Sequence, residues 1–287
     1  SSAASDVYKR QMLADAEKRG YAVGAFNVGD LADFQAVVQA AEEERSPIIV
    51  QIYSGSVDLL GINYIMAMAN AAVQSASVPV VLHLDHGRDL EVVKKCIESG
   101  FSSVMIDGSR LPLAENIEIT RKVVEMAHAA GISAEAELGV VWSGSQEVSE
   151  SDRKKFLTVP EEAREFVDET NVDALAVAIG SAHGLYKFKP ELDFDRLREI
   201  RSIVSTHLVL HGGSDLPEEH IRRAIQLGIT KVNVATDLAG AYTTAVRKVV
   251  AASEGILWPG RVLSATRQEM KELVRAKLRI FGSSGKV

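Results

Sequence analysis

The sequence predicts an α/β protein, a single (β/α)₈ TIM barrel, and three observations predict it. Eight short runs of β-branched and other apolar residues recur along the chain, amphipathic helical stretches lie between them, and ionisable residues gather at the C-terminal ends of the runs. The runs begin about 25 to 40 residues apart, the repeat expected when each parallel strand is followed by a crossover helix. At 287 residues the chain has room for one such barrel and shows no linker or second domain.

The candidate strands are "AVGAF" from residue 22, "PIIVQIY" from 47, "PVVLHLD" from 79, "SSVMID" from 102, "SAEAELG" from 133, "ALAVAIG" from 174, "HLVLHG" from 207 and "KVNVAT" from 231. Stretches such as "DFQAVVQAAEEE", "LEVVKKCIESG", "ENIEITRKVVEMAHAAG", "PEEAREFVDET" and "PEEHIRRAIQLG" place apolar residues at i, i+3, i+4 and i+7, the helical period. Thr158 and Glu161 have capping-box spacing around Pro160, and Gly100, Gly131 and Gly228 stand where helices should stop. A doubly wound open sheet is the alternative. Against it, "GAFNVGD" follows the first run where a glycine-rich dinucleotide fingerprint would stand. The opening "SSAASDVYKRQ" has little apolar periodicity and looks like a leader translated from adapter DNA. Residues 1–11 are therefore expected to be non-native or disordered, with the barrel over 12–287.

A formal net charge of −7 argues against a nucleic-acid partner, so an anionic ligand must be held by local groups rather than by the overall field. Cys96 is the only cysteine, which excludes a disulfide framework and a thiolate metal cluster and fits a reducing cytoplasm. No apolar run approaches the roughly 18 residues of a membrane span, so no membrane partner is expected.

The chemistry should lie at the C-terminal ends of the strands, where barrel enzymes place their active sites. Those ends carry His83, Asp85 and His86, then Asp107, Glu135 with Glu137, His183, His211, and Asn233 with Thr236 and Asp237. Three histidines at three strand ends could supply three neutral nitrogen ligands to a catalytic zinc with an open fourth position. The alternative is that each is a hydrogen-bonded histidine beside a loop, since residues 86, 183 and 211 form no local motif and meet only if the barrel closes. On a strand, residues 83 and 85 face one way and 84 and 86 the other, unless the strand has ended at 85. His83 lies deeper and reads as a satisfied interior residue, while Asp85 and His86 sit at the rim. Gly212, Gly213 and Ser214, and the stretch entering a helix after Thr236, offer backbone N–H groups at helix starts. Such turns form an anion site, or merely turn tightly.

Together "VVLHLDHG", "SSVMIDGS", "AEAELG", "DALAVAIGSAHGLYKF", "LDFDRLREI", "LVLHGGSDLPEEHIRRAIQLGITKVNVATDL" and "KLRIFGSSGKV" resemble the class II, zinc-dependent ketose-bisphosphate aldolases, in particular the fructose- and tagatose-bisphosphate branch, from Met12 to Val287. The resemblance implies a lyase of carbohydrate metabolism with Zn²⁺, and with Na⁺ or K⁺ as a further cation. It makes His86, His183 and His211 the zinc ligands, His83 structural, and Asp85 the acid/base at the C4 oxygen. Asp107 and Glu137 would line a second metal position. Gly184, Gly212, Gly213, Ser214, Asn233, Val234, Ala235 and Thr236 would hold the dihydroxyacetone-phosphate half of a small phosphosugar. A homodimer or homotetramer in the cytoplasm is also implied.

Cleaving the C3–C4 bond of a ketose 1,6-bisphosphate leaves negative charge on the ketone oxygen as an enediolate. A Lewis-acid zinc stabilises that charge without a lysine Schiff base. Two departures from the family pattern stand out. Where a mobile loop with paired glycines and a glutamate is usual, this chain reads "VVWSGSQEVSE". Without gaps, Trp142 and Ser143 replace the glycines and Ser145 the acid; a two-residue slip makes Glu147 the base that handles the C3 proton, and otherwise Glu147 is a solvated carboxylate. Near the C-terminus, "WPGRVL" moves to Arg261 the arginine that in the family reaches a neighbouring subunit's phosphate. The alternatives are the same mechanism on another phosphosugar, of deoxyphosphogluconate type, and a catalytically impaired paralogue that binds metal and sugar phosphate.

Overall fold

The computed structural model describes residues 2–143, 154–186 and 191–287, with side chains from Arg10 onward. All eight runs form strands, and all pair in parallel. In chain order the described strands are β1 (Val23–Asn27), β2 (Ile48–Tyr53), β3 (Val80–Asp85), β4 (Ser103–Ile106), β5 (Ser133–Leu138), the two-residue β6 (Trp142–Ser143), β7 (Ala174–Val177), the two-residue β8 (Ala182–His183), β9 (His207–Leu210) and β10 (Ile229–Val234). The barrel order is β1-β2-β3-β4-β5-β7-β9-β10, and β10 closes on β1 with Val23 opposite Lys231. β6 and β8 form a separate parallel pair, Trp142 opposite Ala182 and Ser143 opposite His183.

The strands read as unbroken apolar runs because both of their faces are covered. On β2 and β3, Ile48, Val50, Ile52, Leu82 and Leu84 point outward into the core shared with the helices, while Ile49 and Val81 point into the barrel. The interior changes chemistry along its axis. At the N-terminal end, Val23, Ala25, Ile49, Val81, Ala174, Ala176 and Val209 pack against Met12, Leu13 and Ala16 of helix α1 (Ser2–Arg19). This helix lies against β1, β3, β5, β9 and β10 and so plugs the floor. Arg10 of the same helix pairs with Asp173 at 2.9 Å. Above the floor the interior turns polar, with Gln51, His83, Ser103, Glu135 and Lys231 all fully buried.

Outside the barrel run α2 (Leu31–Glu44), α3 (Val57–Leu60), α4 (Ile62–Ser75), α5 (Leu90–Ser99), α6 (Leu113–Ala129), α7 (Pro160–Thr170), α8 (Phe194–Ile203), α9 (Glu218–Gln226), α10 (Thr236–Ala251) and α11 (Pro259–Phe281). Among the described residues, no single helix is long and apolar enough to cross a membrane. The Asp30 side chain caps α2 in a full capping box with Asp33, and Asp89 caps α5, which stops at left-handed Gly100. The expected capping box at Thr158 does not form. Val159 is the N-cap of α7, and the Thr158 hydroxyl instead donates to the Leu138 carbonyl and accepts from the Ala178 N–H, tying β5 to the chain after β7. α11 returns along α2, where Arg275, Arg279 and Ser284 grip Glu44; the hydrogen bond from Arg279 is the main cause holding its carboxyl down at about 2.

Candidate active site

The opening at the C-terminal end of the barrel is a cavity of about 680 Å³, and its wall gathers residues from most of the strand ends. β3 supplies the first pair. The strand ends at Asp85, and His86 takes a left-handed backbone with φ +47°, which frees its ring from the strict alternation that would send it outward. Gly87 makes the turn sterically feasible. A Cβ there would lie 2.1 Å from the Met105 carbonyl oxygen, to which the Gly87 N–H donates at 3.1 Å.

Three rings meet in the cavity. The His86 ring centroid lies 5.0 Å from that of His183 and 4.8 Å from that of His211, and His183 and His211 are 5.8 Å apart. One donor nitrogen from each falls within 4.8 Å of the other two. A tetrahedral zinc with bonds near 2.0–2.1 Å needs nitrogens about 3.4 Å apart, so side-chain adjustments on the order of 1 Å close the set. His183 reaches the cluster differently from expectation: it sits on the short β8 paired with β6, beyond the end of the barrel strand β7.

Two of the rings, His86 and His211, are oriented by carboxylates, the arrangement that fixes which nitrogen faces a metal. His86 Nδ1 is 2.8 Å from Asp107 Oδ2 and 3.8 Å from Glu137 Oε2. His211 Nε2 is 3.2 Å from Glu135 Oε1, which leaves Nδ1 toward the cluster, 3.2 Å from Glu137 Oε2. That Nδ1 and the Glu137 Oε2 are both buried without a hydrogen bond, as expected of atoms that a cation would satisfy. His86, Asp107 and Glu137 form a second group of converging donors. The residues thus fit a divalent cation on donor chemistry and spacing alike.

Burial lowers the pKa of His183 to about 4, with help from its two neighbouring imidazoles. Burial also opposes protonation of His86, but Asp85, Asp107 and Glu137 overcome it and raise that ring to about 10. Burial pushes Asp107 up, yet its bonds to His86 and Ser109 prevail and hold the carboxyl below the usual range. In His211 the Glu135 and Glu137 carboxylates outweigh burial and raise the pKa.

Asp85 is only 4% exposed but still lines the cavity. Asn27 Nδ2 donates to its Oδ2 at 2.7 Å and Asn233 Nδ2 to its Oδ1 at 3.2 Å, while Gln51 Nε2 donates to Asn27 Oδ1 at 2.7 Å. Two amides, one of them held by a third, aim this carboxylate. His83 is fully buried below it, with Nδ1 at 2.8 Å from the Ser103 hydroxyl and Nε2 at 3.7 Å from Glu135. Lys231, also fully buried, donates to Glu135 Oε1 at 2.9 Å, so one carboxylate joins the lysine to His211.

Opposite β3, the turns after β9 and β10 are built from backbone. Gly212 has φ +67°, and a Cβ there would lie 2.3 Å from the Ala182 carbonyl oxygen; at Gly213 it would lie 2.5 Å from Val232. Tyr186 locks this turn, its hydroxyl donating to the Gly212 carbonyl at 3.1 Å and accepting from the Ala182 N–H at 2.7 Å. Ser214 Oγ accepts the Asp237 N–H at 3.2 Å, near the start of α10. Gly184, Gly212, Ser214, Asn233, Ala235 and Thr236 line the cavity. The Val234 side chain belongs to the outer core, and Gly213 lies behind the wall, against Val232 and Asn233. Glu147 lies outside the described residues.

Sequence reasoning missed Asn27, Gln51, Tyr53, Arg88, Arg110 and Lys231. Asn27 obeys the rule used for the other strand ends. Gln51 was visible as one amide inside "IIVQIY".

The family model described as class-II fructose-bisphosphate aldolase matches residues 7–286. The crystal structure of the YdjI aldolase from Escherichia coli K12 is 36% identical with a TM-score of 0.86, over 96% of this chain and 97% of that one. A Coccidioides immitis protein assigned provisionally as a fructose-1,6-bisphosphate aldolase is 32% identical with a TM-score of 0.87, over 97% of both chains. Fructose-bisphosphate aldolase from Campylobacter jejuni, 23% identical with a TM-score of 0.83 over 96% of this chain and 95% of that one, shares the fold. The chain belongs to the class-II fructose-bisphosphate aldolase family and is an aldolase, a lyase that cleaves carbon–carbon bonds.

Proposed function

We propose that the enzyme reversibly cleaves a ketose 1,6-bisphosphate, fructose or tagatose, to dihydroxyacetone phosphate and glyceraldehyde 3-phosphate. The observation that carries this reading is the meeting of His86, His183 and His211 in one cavity with Asp85. His86, His183 and His211 would hold Zn²⁺, with Asp107 and Glu137 as a second position. When bound, that ion supplies a Lewis acid for the C2 oxygen, which gains charge as the C3–C4 bond breaks.

Asp85 takes the proton of the C4 hydroxyl as C4 becomes the aldehyde carbon, and the bonding pair passes toward the C2 oxygen. Asn27 and Asn233 stabilise the Asp85 carboxylate and hold it for that transfer. Glu147 returns a proton to C3, giving the free ketone phosphate. Gly184, Gly212 to Ser214 and Asn233 to Thr236 hold that half and its phosphate near the start of α10, Gly213 and Val234 by shaping the wall, since the Gly213 N–H already donates to the Asn233 carbonyl at 2.9 Å and the Val234 side chain belongs to the outer core. Na⁺ or K⁺ is assigned to the same region, and the enzyme is assigned to the cytoplasm as a homodimer or homotetramer in carbohydrate metabolism.

The sequence from Trp142 to Glu147 favours a second reading, the same chemistry on another phosphosugar such as a deoxyphosphogluconate-type substrate. A coupled assay for dihydroxyacetone phosphate tests both, with fructose and tagatose 1,6-bisphosphate and a panel of other ketose phosphates, after chelator and again with added Zn²⁺. Cleavage of a bisphosphate restored by zinc is the expected result. Undiminished cleavage after chelation contradicts the metal mechanism. Zinc-loaded protein inactive on every sugar would favour an impaired paralogue.

A further inference from the structure

We propose that Arg88 and Arg110 form the subsite for an anionic group at the far end of the sugar, so that the aldehyde half of the substrate carries negative charge distal to its carbonyl. This rests on the phosphate of the ketone half sitting on the turns after β9 and β10. In the eight-strand order, β9 and β10 stand diametrically across the barrel from β3 and β4. Arg88 follows β3 and Arg110 follows β4, and the histidine cluster and Asp85 line the same cavity between the two sides. A chain anchored at β9 and β10 and reacting beside His86 and Asp85 therefore directs its other end at these arginines.

Arg88 and Arg110 are the only lysine or arginine residues in the cavity wall among the described residues. Both are exposed, and no hydrogen bond or ion pair to another described residue engages either. The carboxylates nearest them in sequence are committed elsewhere. Asp107 bonds His86 and Ser109, Asp85 accepts from Asn27 and Asn233, and the Asp89 side chain caps α5 through the Val92 N–H. Asp58, whose carboxyl feels Arg88, is bonded to Lys95 at 2.7 Å. Two uncommitted guanidiniums in the mouth of a protein of net charge −7 are the local cations an anionic substrate needs. Phosphate and carboxylate each present a pair of oxygens that the planar guanidinium fork binds bidentately.

The test runs the condensation with zinc-loaded protein, dihydroxyacetone phosphate and three acceptors: glyceraldehyde 3-phosphate, a 2-hydroxyaldehyde ending in a carboxylate, and neutral glyceraldehyde. A charged acceptor should exceed glyceraldehyde in kcat/KM by at least about 30-fold, and the better of the two identifies the anion. In R88M and R110M that advantage should fall by about 10- to 100-fold, mainly through the KM of the aldehyde, while R88K and R110K should recover part of it. Glyceraldehyde turnover by each variant reports that the fold and the rest of the site are intact. An advantage that both Met variants leave unchanged, or a preference for glyceraldehyde in the unmodified protein, overturns the subsite alone. No condensation with any acceptor overturns the proposed reaction beneath it and the subsite with it.

Discussion

On one side of the barrel mouth, the turns after β9 and β10 offer backbone: Gly212 and Gly213 fold where a Cβ would strike Ala182 or Val232, and Thr236 opens a helix. On the other side, the ends of β3 and β4 offer side chains: Asp85, His86, Asp107, Arg88 and Arg110. Backbone donors are fixed by sterics and bind whatever anion fits the turn. Side chains are replaceable one at a time, so this side can decide both the chemistry and the sugar. On the proposed reading, the substrate would be anchored where the protein is least adjustable and discriminated where it is most so.

The largest effect should come from the side-chain half. Asp85→Asn keeps the shape and the contact with Asn27 but removes the proton acceptor, and kcat should fall by about 10²- to 10⁴-fold with little change in zinc content. Full activity would remove Asp85 from the mechanism. On the backbone half, Gly212→Ala places a methyl against the Ala182 carbonyl at a left-handed position. Affinity for dihydroxyacetone phosphate should drop at least about tenfold and stability by about 1–3 kcal/mol, read from ligand titration and urea unfolding. If binding is unchanged, the phosphate lies elsewhere.

A third variant probes the layer beneath both halves. Lys231→Met removes the ammonium from a buried pair and leaves the Glu135 carboxylate to His211 and His83 alone, which should cost about 3–5 kcal/mol in urea unfolding. A neutral outcome would mean that the pair contributes nothing net. The smallest effect is expected at Asp33, beside the backbone half. Burial is the largest cause raising its pKa, to about 7, against the N–H groups of Gly29 and Asp30 that favour the charge. The folded state then holds this proton more tightly than the unfolded chain, so its contribution is fully present below about pH 4 and is lost as pH rises toward 7. In Asp33→Asn the stability profile between those values should flatten by about 1–2 kcal/mol, after allowing for the part of the carboxyl that faces water. An unaltered slope would show that Asp33 titrates normally.

The barrel was legible because each strand is covered on both faces and leaves a contiguous apolar run, as "IIVQIY" and "VVLHLD" do. Less legible were features that depend on a few bonds. β6 and β8 have two residues each and no periodicity to read. Thr158 had the spacing of a cap but found better partners across the barrel in Leu138 and Ala178. Lys231 is hidden by an edge: the run "KVNVAT" places it at the start of a strand, whereas β10 begins at Ile229 and carries the lysine into the interior. The histidines could be nominated from strand ends, but their meeting depended on closure of the barrel. The turn at His86 is a backbone angle that alternation alone does not supply.

The proposed chemistry depends on three histidines from three separate segments forming one metal site. Its most direct test is equilibrium dialysis of Zn²⁺ against the chelator-stripped protein and the single variants His86→Ala, His183→Ala and His211→Ala. The unmodified chain should hold one tight site that each variant weakens by at least about 100-fold, while circular dichroism shows the fold retained. A variant that keeps its fold and binds that zinc undiminished would contradict it.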